Sequence, residues 1–332
     1  MDENLNDFLR FDFIGCGALN WDIFFELEDL QILKEKNIHA SPGGEIALER
    51  KDFIEVLNFL EKRGNFLFEG GGGSAANTLY ALSLWGFKGS FLGAVGKDPF
   101  GKKVLEEFSS VGLSLEYIIE RGTTSLALIV LSPAKDRFIL VSPGDAENYL
   151  PVLIEKNLPK GDYHFSSFAS APGRHFQVQL LTQINRISFD PGRIYVSLGW
   201  DDLLSWLKAT KYLFITEEEL GLLKKAPDSL LNLGIEKVFL KQGKNGAMVF
   251  TKDKVFKKPS LNVDKVVDNT GAGDYFNAGV LAGISLGFNE DKALELGIYA
   301  AGMSLRDYGR RGCLDKREFQ NYVSLLKLTG KL

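Results

Sequence analysis

The sequence predicts an α/β protein of three layers, in which a central and mostly parallel sheet lies between helices. Strand-like apolar runs alternate with helical stretches over most of the 332 residues, and this alternation favours parallel strands covered by helices on both faces. A charged segment at 21–69 and a hairpin-like segment at 115–142 interrupt the series. We therefore expect an α/β core formed by 11–20, 70–114 and 143–332, and a small β-containing lid formed by 21–69 and 115–142.

The individual elements follow from apolar periodicity and from turn residues. A first strand is predicted at 11–17, helical stretches at 27–36 and 50–62, and helices at 74–84 and 101–111. Further strands are predicted at 89–95, 163–167, 194–198, 212–215 and 238–241. Two apolar runs, 124–131 and 137–141, surround the turn at 132–136 and predict a hairpin.

Composition and charge are typical of a globular protein. Hydrophobic residues make up 45% of the chain and charged residues 25%, and the formal net charge is −4. This balance gives no reason to expect nucleic acid or an anionic membrane as a partner. The acidic first residues lack the features of a signal peptide, and no apolar run is long enough to cross a bilayer. We expect a cytoplasmic protein.

The sequence gives no support for a zinc site or for a Gly-x-Ser-x-Gly nucleophile elbow. Neither the cysteines nor the histidines have the spacing of metal ligands, and the cysteines are expected to be plain thiols. These residues are Cys16, Cys313, His39, His164 and His175. A Walker-type phosphate loop and a Gly-x-Ser-x-Gly elbow are both absent from the sequence.

The loop 268–274, with the sequence DNTGAGD, carries the most chemical information. It follows a strand-like run of valines and leads into an apolar helix predicted at 275–283. Bare N–H groups and the helix dipole at such a start suit an anion, above all a phosphate. Asp274 would repel this phosphate, unless it is a base that deprotonates a hydroxyl attacking it. The alternative is an acidic residue that stabilises the first turn.

Two further segments could hold a polar ligand. Four glycines at 70–73 are entropically costly, so they indicate unusual torsions or close approach of a ligand, and Asn77 lies one turn into the following helix. A lid hinge is the alternative. A dinucleotide site is disfavoured because a helical stretch precedes the glycines and their spacing differs from Gly-x-Gly-x-x-Gly. Asn20 and Asp22 share a face if their segment is extended; a solvated turn is the alternative.

Two predicted strand ends carry weaker signals. Lys241, Gly243 and Gly246 form a glycine turn that could provide one wall of a nucleotide pocket. Thr216 and the glutamates 217–219 follow another strand. Carboxylates there suit Mg²⁺ held through water, and they equally suit the acidic first turn of an exposed helix.

In this order the motifs resemble those of the ribokinase-like (PfkB) carbohydrate and nucleoside kinase family. The similarity extends from about residue 11 to about residue 315, and the long insert at 21–69 resembles the adenosine-kinase-like branch. The matching features are Gly17-x-x-Asn20-x-Asp22, the run 72–77 (GGSAAN), Gly93-x-x-Gly96-Lys97-Asp98-x-x-Gly101, Asp190-Pro191, Lys241-x-Gly243-x-x-Gly246 and the loop 268–274.

The resemblance implies a ribokinase-like fold and an ATP- and Mg²⁺-dependent transfer of the γ-phosphoryl group to the hydroxymethyl group of a sugar or nucleoside. Asp274 matches the family's catalytic base. The remaining matched positions are the anion hole (Gly271, Ala272, Gly273), the acceptor site (Asn20, Asp22, Gly72, Gly73, Asn77), the nucleotide site (Lys241, Gly243, Gly246, Thr270), an indirect Mg²⁺ ligand (Glu219), and Asp268, where some relatives hold a monovalent cation such as K⁺.

Of three departures from the family pattern, those at Thr216 and at 298–301 predict altered contacts with Mg²⁺, adenine or the cation, whereas Asn269 is a tolerable change in a loop. The family often has Asn at the position of Thr216 and commonly has Thr at the position of Asn269. It often has Ala-Asn-Ala-Ala at 298–301, where this chain has IYAA. The resemblance is compatible with either a monomer or a homodimer.

Two other functions remain open at this point. A non-catalytic sugar- or nucleoside-binding regulator on the same fold would keep Asp22 and Asn77 but need neither the base nor the anion hole. A nicotinamide-dependent dehydrogenase would use a doubly wound sheet. The motifs leave the acceptor itself unidentified, because a single pocket residue can change which hydroxyl or ring is accepted.

Overall fold

The computed structural model describes residues 10–41, 43–133 and 137–329, and its strands form two sheets. The ends of the chain and most of the predicted turn at 132–136 lie outside these residues. The strands are β1 (Arg10–Cys16), β2 (Asn20–Glu26), β3 (Glu45–Ala47), β4 (Asn65–Gly72), β5 (Gly89–Val95), β6 (Ile118–Glu120), β7 (Ser125–Leu131), β8 (Arg137–Ser142), β9 (Lys160–Ser166), β10 (Ile187–Asp190), β11 (Thr210–Thr216), β12 (Lys237–Lys241), β13 (Ala247–Phe250) and β14 (Val255–Lys258).

Helices connect most of these strands. They are α1 (Arg50–Arg63), α2 (Ser74–Trp85), α3 (Pro99–Ser110), α4 (Ala171–Leu180), α5 (Gly192–Val196), α6 (Trp200–Ala209), α7 (Glu217–Leu223), α8 (Pro227–Leu231), α9 (Ala272–Ser285), α10 (Glu290–Ser304) and α11 (Lys316–Leu328). Short 3-10 helices lie at Leu30–Lys36, Asp145–Glu155, Gly243–Asn245 and Gly309–Gly312.

The large sheet has nine strands in the order β14-β13-β12-β11-β10-β9-β1-β5-β6. All neighbours from β12 to β6 are parallel, and only the pairs β12–β13 and β13–β14 at one edge are antiparallel. Side chains alternate between the two faces. Phe13 and Phe214 pack with α2, α9 and α10, whereas Ile14 and Leu213 pack with α4, α6 and α8. The predicted three-layer α/β fold is therefore confirmed.

The small sheet has five strands in the order β3-β8-β7-β2-β4, drawn from both of the interrupting segments. The predicted hairpin is present as the antiparallel pair β7–β8. One face packs on α1 through residues such as Phe25 and Val130. The opposite face carries Phe24, Ile129 and Val141. Ile129 and Val141 line a cavity shared with the large sheet, so this face covers the site described below.

The strand at 118–120 differs from the expected division of the chain. Ile118–Glu120 pairs in parallel with β5 and extends the large sheet, whereas the predicted boundary after residue 114 assigned it to the lid. A three-residue strand has little pattern of its own, and its position depends on the free edge of β5.

Two predicted strands were wrong. The run 194–198 lies in and after α5, and the strand is the preceding segment β10, which pairs with β9 and β11. The runs 187–190 and 194–198 are both apolar. They differ in that only the first pairs with a strand on each side. The valine run at 263–267 forms no strand in the described structure, although Val267 N–H donates to the carbonyl of Leu305.

The insert at 21–69 contains more strand than the sequence predicted. The predicted helix at 50–62 is α1, but the stretch 27–36 forms only a 3-10 helix from Leu30. The glycine run is preceded by β4, which includes its first three members, and not by a helix as expected. Among the described residues, none of the helices has both the length and the apolar character needed to span a bilayer.

Candidate active site

Two cavities meet at the loop 268–274, at the C-terminal ends of the central parallel strands. The first has a volume of about 410 Å³ and lies between the small and large sheets. The second has a volume of about 730 Å³ and lies beside α9 and α10. Ligands of open parallel sheets gather at this edge. Residues that line both cavities include Arg137, Lys241, Gly243, Asn269 and Gly273.

The loop forms the start of α9 through a glycine in the left-handed region. Gly271 has φ 78° and caps the helix, and its carbonyl accepts from the N–H groups of Asp274 and Tyr275. Within the described residues, the N–H groups of Gly271 and Gly273 meet no protein acceptor, and that of Ala272 makes only a 3.4 Å bond to Asn269. The predicted anion-hole residues therefore present free donors at a helix N-terminus.

Asp274 lines the first cavity, next to Gly273, and is held by two residues of α2. Ser74 Oγ donates to its Oδ1 at 2.7 Å, and Asn77 Nδ2 donates to its Oδ2 at 2.9 Å. Burial raises the pKa of Asp274 to about 6, while these two hydrogen bonds lower it and the charge of Asp190 raises it further. A carboxyl group with this pKa is ionised at neutral pH and basic enough to accept a proton.

Asn20 and Asp22 lie on β2 with their side chains in the first cavity, as predicted for an extended segment. Their Oδ1 atoms are buried and have no hydrogen-bond partner in the described structure. Burial raises the pKa of Asp22 to about 7, although the charge of Arg310 opposes this. Buried acceptors without donors are costly, so this wall is suited to a ligand that supplies hydroxyl groups.

The glycine run makes room for these side chains. A Cβ atom on Gly72 would lie 2.0 Å from Asp22 Oδ2, and one on Gly73 would lie 2.1 Å from the carbonyl oxygen of Ala18. Gly73 also has φ 97° at the start of α2. The expected unusual torsion is present at Gly73, whereas the close approach at Gly72 comes from the protein's own carboxylate.

A buried ion pair lies beneath the anion loop. Lys241 Nζ contacts Asp190 Oδ2 at 2.6 Å, and Asn277 Nδ2 donates to the same oxygen at 2.6 Å. Burial alone would raise the pKa of Asp190, but the charge and hydrogen bonds of Lys241 and Asn277 hold it below its usual range. Burial lowers the pKa of Lys241, but the charges of Asp190 and Glu219 raise it. The net effect is an increase. Lys241 therefore stays charged beside Gly273.

Glu219 caps the helix α7 and also reaches the first cavity, so a role in Mg²⁺ binding stays a prediction. It forms a capping box with Thr216, whose N–H donates to Glu219 Oε2 at 2.8 Å, and its side chain also lines the first cavity. Burial raises its pKa, as does the charge of Asp190. No cluster of three or more His, Cys, Asp or Glu residues suited to a metal ion occurs in the described parts of the chain.

Asp268 lines neither cavity, and both of its carboxylate oxygens accept backbone hydrogen bonds. The donors are the N–H groups of Thr270 at 2.9 Å and of Gly309 at 3.2 Å. These bonds tie the anion loop to the segment before α11. They explain a buried carboxylate at this position without a cation.

The second cavity brings together Lys241, Gly243 and Gly246 of the predicted nucleotide site. Gly246 has φ 91°, and a Cβ atom there would lie 2.0 Å from the carbonyl oxygen of Lys258. Thr270, predicted for the same site, lines the first cavity instead. The remaining wall is largely apolar and suits a flat ring; it includes Leu261, Val266, Phe276, Ile298 and Leu305.

Several charged residues of the site belong to no motif in the sequence and were not predicted. Glu45 and Arg137 reach the first cavity from strands of the small sheet, and Arg137 Nη1 donates to the carbonyl of Asn269 at 3.2 Å. Arg193 lines the same cavity and forms an ion pair with Glu218. None of the three belongs to a spaced motif, so no signal in a single sequence distinguishes them from surface charges.

The chain is similar in sequence to known kinases. The family model described as pfkB family carbohydrate kinase matches residues 62–317. An ATP-dependent ribose-1-phosphate kinase of Halopiger xanaduensis is 31% identical over 309 residues, which cover 90% of this chain and 92% of that protein. An uncharacterized sugar kinase of Archaeoglobus fulgidus is 31% identical over 242 residues, covering 69% of this chain and 96% of that protein.

Solved structures share the fold at lower sequence identity. A probable sugar kinase of Rhizobium etli superposes with a TM-score of 0.78 at 21% identity, covering 95% of this chain and 99% of that one. The nucleoside kinase of Methanocaldococcus jannaschii, an archaeal member of the ribokinase family, gives a TM-score of 0.75 at 21% identity. The match covers 96% of this chain and 99% of that one.

Proposed function

The chain belongs to the pfkB family of carbohydrate kinases, and we propose that it transfers the γ-phosphoryl group of ATP to the primary alcohol of a sugar or nucleoside. The observation that carries this proposal is the position of Asp274, which adjoins free loop N–H groups and the cavity that holds Asn20 and Asp22. A base between an anion site and a hydroxyl site fits phosphoryl transfer to an alcohol.

In the proposed reaction the acceptor occupies the first cavity. Its ring hydroxyls donate to the unpaired Oδ1 atoms of Asn20 and Asp22. Asp274 Oδ2 or Oδ1 takes the proton of the attacking hydroxymethyl group while Ser74 and Asn77 keep the carboxylate oriented. These contacts supply positioning, which is most of what phosphoryl transfer requires.

Charge on the moving phosphoryl group is offset at the junction of the cavities. The N–H groups of Gly271 and Gly273 donate to its oxygens, and Lys241 and Arg137 add positive charge from two sides. We propose that the small sheet acts as a lid that brings Arg137 over this junction and excludes water. The result is one reaction centre assembled from both sheets.

The nucleotide is proposed to bind in the second cavity, with its ring against the apolar wall and its phosphates towards Gly273. Glu219 fits Mg²⁺ held through water, because Oε2 serves the helix cap and leaves Oε1 for a hydrated ion. When bound, Mg²⁺ supplies charge neutralisation of the phosphates. A K⁺ requirement involving Asp268 stays a prediction. The need for ATP, together with buried free thiols at Cys16 and Cys313, supports a cytoplasmic location.

The relatives define which acceptors to test. Among them are a ribose-1-phosphate kinase and a nucleoside kinase. Asn20 and Asp22 favour any acceptor with adjacent hydroxyls, and Arg193 in the same cavity offers a cation to an acceptor that also carries a phosphate. Ribose, ribose 1-phosphate and nucleosides are therefore the first candidates.

The test is an ATP-consumption screen of the purified protein over nucleosides, ribose, ribose 1-phosphate, fructose and phosphorylated hexoses. Each acceptor is assayed with and without Mg²⁺ and K⁺, and the product is checked for phosphate on the primary alcohol. One acceptor with a clear rate supports the proposal. Tight acceptor binding without ATP consumption would favour the binding regulator, and mass measurement in solution would separate monomer from homodimer.

A further inference from the structure

Arg310 is a buried cation directly behind the acceptor site. It lies in the 3-10 helix Gly309–Gly312 and is 7% exposed. Its guanidinium lies over the rings of Tyr80 and Phe108, with the Cζ atom 5.0 and 5.1 Å from their centroids. It lines neither of the two cavities, so it does not touch a ligand bound there.

Glu107 of α3 fixes the guanidinium in this position. Arg310 Nη1 donates to Glu107 Oε2 at 2.6 Å, and both carboxylate oxygens also accept from Gly71 N–H, at 3.1 and 3.2 Å. Position 71 must be glycine for this arrangement, because a Cβ atom would lie 2.2 Å from Arg310 Nη1. The second glycine of the run is thus explained by Arg310 and Glu107.

The remaining donors of Arg310 point towards the acceptor site. Arg310 Nε donates to Asn77 Oδ1 at 3.1 Å, and Nη2 lies 3.5 Å from the carbonyl oxygen of Gly72. Asn77 Oδ1 therefore faces a cation and its Nδ2 faces the carboxylate of Asp274. A flipped amide would direct NH₂ at the guanidinium and oxygen at the carboxylate, which opposes both contacts.

We propose that Arg310, held by Glu107, is a positioning residue that locks the Asn77 amide in the one orientation able to donate to Asp274. The same charge opposes the effect of burial on the pKa of Asp22, whose carboxylate fills the space over Gly72. The catalytic consequence rests on the proposed function, because it takes Asp274 as the base. The orientation of Asn77 can be measured without any catalysis.

A purely structural role for Arg310 is the alternative. In that case its loss would lower stability and leave the titration of Asp274 unchanged. The other groups that act on Asp274 lie outside the segment of Arg310, and Arg310→Lys keeps the positive charge near Asp22. The charged ones are Asp22 (β2), Glu45 (β3), Asp190 (β10) and Lys241 (β12), and Ser74 also donates to Asp274.

The experiment measures the Asp274 titration by carboxyl carbon NMR and the pH dependence of kcat/KM in matched variants. Arg310→Lys keeps the charge but loses the fork that joins Glu107 to Asn77. Glu107→Gln keeps the shape, and serves as the second variant if Arg310→Lys folds poorly. Arg311→Gln is the control, because Arg311 is the exposed neighbour that pairs with Asp307. Near-ultraviolet circular dichroism checks the fold of each variant.

We expect Arg310→Lys to raise the Asp274 midpoint by about one pH unit, the equivalent of one hydrogen bond to a charged group. Arg311→Gln leaves the midpoint unchanged. In an Asn77→Ala background the Arg310→Lys change moves it no further, because the two residues act through one contact. The hydrogen bond from Ser74 and the charge of Lys241 remain in every variant, so Asp274 still titrates.

An unchanged Asp274 midpoint in folded Arg310→Lys and Glu107→Gln would overturn the inference. So would a shift of equal size with and without Asn77. If the wild-type protein consumes no ATP with any acceptor, the proposed function fails, whereas the NMR titration still decides the role of Arg310. The two failures are therefore distinguishable.

Discussion

Asn77 Nδ2 donates to Asp274 Oδ2 across 2.9 Å, although 197 positions separate the two residues in the chain. The contact joins the first turns of α2 and α9, the helices that follow the two glycine-rich segments. Ser74 Oγ donates to the other oxygen of Asp274. The two most informative motifs of the sequence thus form one site at a helix–helix contact, and several predictions about catalysis depend on it.

Replacement of the base tests the mechanism directly. Asp274→Asn keeps the shape and the contact with Ser74, so the fold and acceptor binding should be retained. We expect kcat to fall by about 10²–10⁴, the usual contribution of a positioned base. Steady-state kinetics with the best acceptor, together with a binding titration, measures this. Near-normal turnover would show that Asp274 is not the base.

The pH dependence of kcat/KM should report the raised pKa of Asp274. The base must be unprotonated in order to accept the acceptor's proton, so kcat/KM should fall as the pH falls through about 6. An ordinary aspartate would lose activity only near pH 4. The measurement is a kcat/KM profile from pH 4.5 to 9 at saturating ATP. A flat profile down to about pH 4.5 contradicts the prediction.

Gly72 should control acceptor affinity through Asp22. In Gly72→Ala the new methyl group would overlap Asp22 Oδ2, so the carboxylate must move and lose its contact with an acceptor hydroxyl. We expect KM for the acceptor to rise about 10–100-fold, the equivalent of one charge-assisted hydrogen bond. Gly221→Ala in α7 is the matched control, because nothing lies within 4 Å of the added Cβ. An equal KM in both variants would exclude this steric role.

Lys241 and Asp190, the buried ion pair beneath the loop, should stabilise the fold only when both are present. Lys241→Met leaves Asp190 as an uncompensated buried charge, and we expect the free energy of unfolding to fall by about 3–5 kcal/mol. Adding Asp190→Asn removes that charge and should restore part of the loss. Urea denaturation of the single and double variants gives both values. Additive losses would contradict the pairing argument.

Glu147, which lines neither of the two cavities, should make stability depend on pH. It is 2% exposed and accepts from Ser125 and Ser170. Burial raises its pKa from 4.5 to about 7, against hydrogen bonds from Ser170 and Ser125. The folded state thus binds more protons than the unfolded state between these values, and stability falls as the pH rises through this window.

Glu147→Gln removes this titration. The amide resembles the protonated acid, so the variant should be more stable than wild type by about 1–3 kcal/mol at pH 8. The difference should shrink below about pH 5, where wild-type Glu147 is protonated in the fold. Urea denaturation at both pH values measures it. A variant that is less stable at pH 8 would show that the hydrogen bonds outweigh the cost of burial.

The motifs of the site could be recognised in the sequence because each determines a local feature of the backbone. The helix start at Gly271 requires a left-handed glycine and bare N–H groups, and a run of small residues before an apolar helix encodes this directly. Asn20 and Asp22 were recognised by their spacing of two. Glu219 shows the limit of such patterns, because the same residues encode a helix cap and a cavity carboxylate.

Elements that depend on partners could not be predicted. The apolar runs 187–190 and 194–198 have similar composition, and the sheet accepts only the first between β9 and β11. The strands β2 and β4 were obscured in a charged insert, because their pairing with distant segments outweighs local propensity. Arg137, Arg193 and Arg310 belong to no spaced motif, so their roles depend on the fold that surrounds them.

The sequence by itself determined the fold class, the glycine-capped start of α9 and the shared face of Asn20 and Asp22, since helix starts, strand periodicity and glycine torsions are local properties of the chain. Only the tertiary structure determined that Asn77 contacts Asp274 and that Gly72 leaves room for Asp22. It also determined that Arg310, paired with Glu107, contacts Asn77. These relations depend on distances between segments far apart in sequence, and such distances are fixed only when both faces of the sheet are packed.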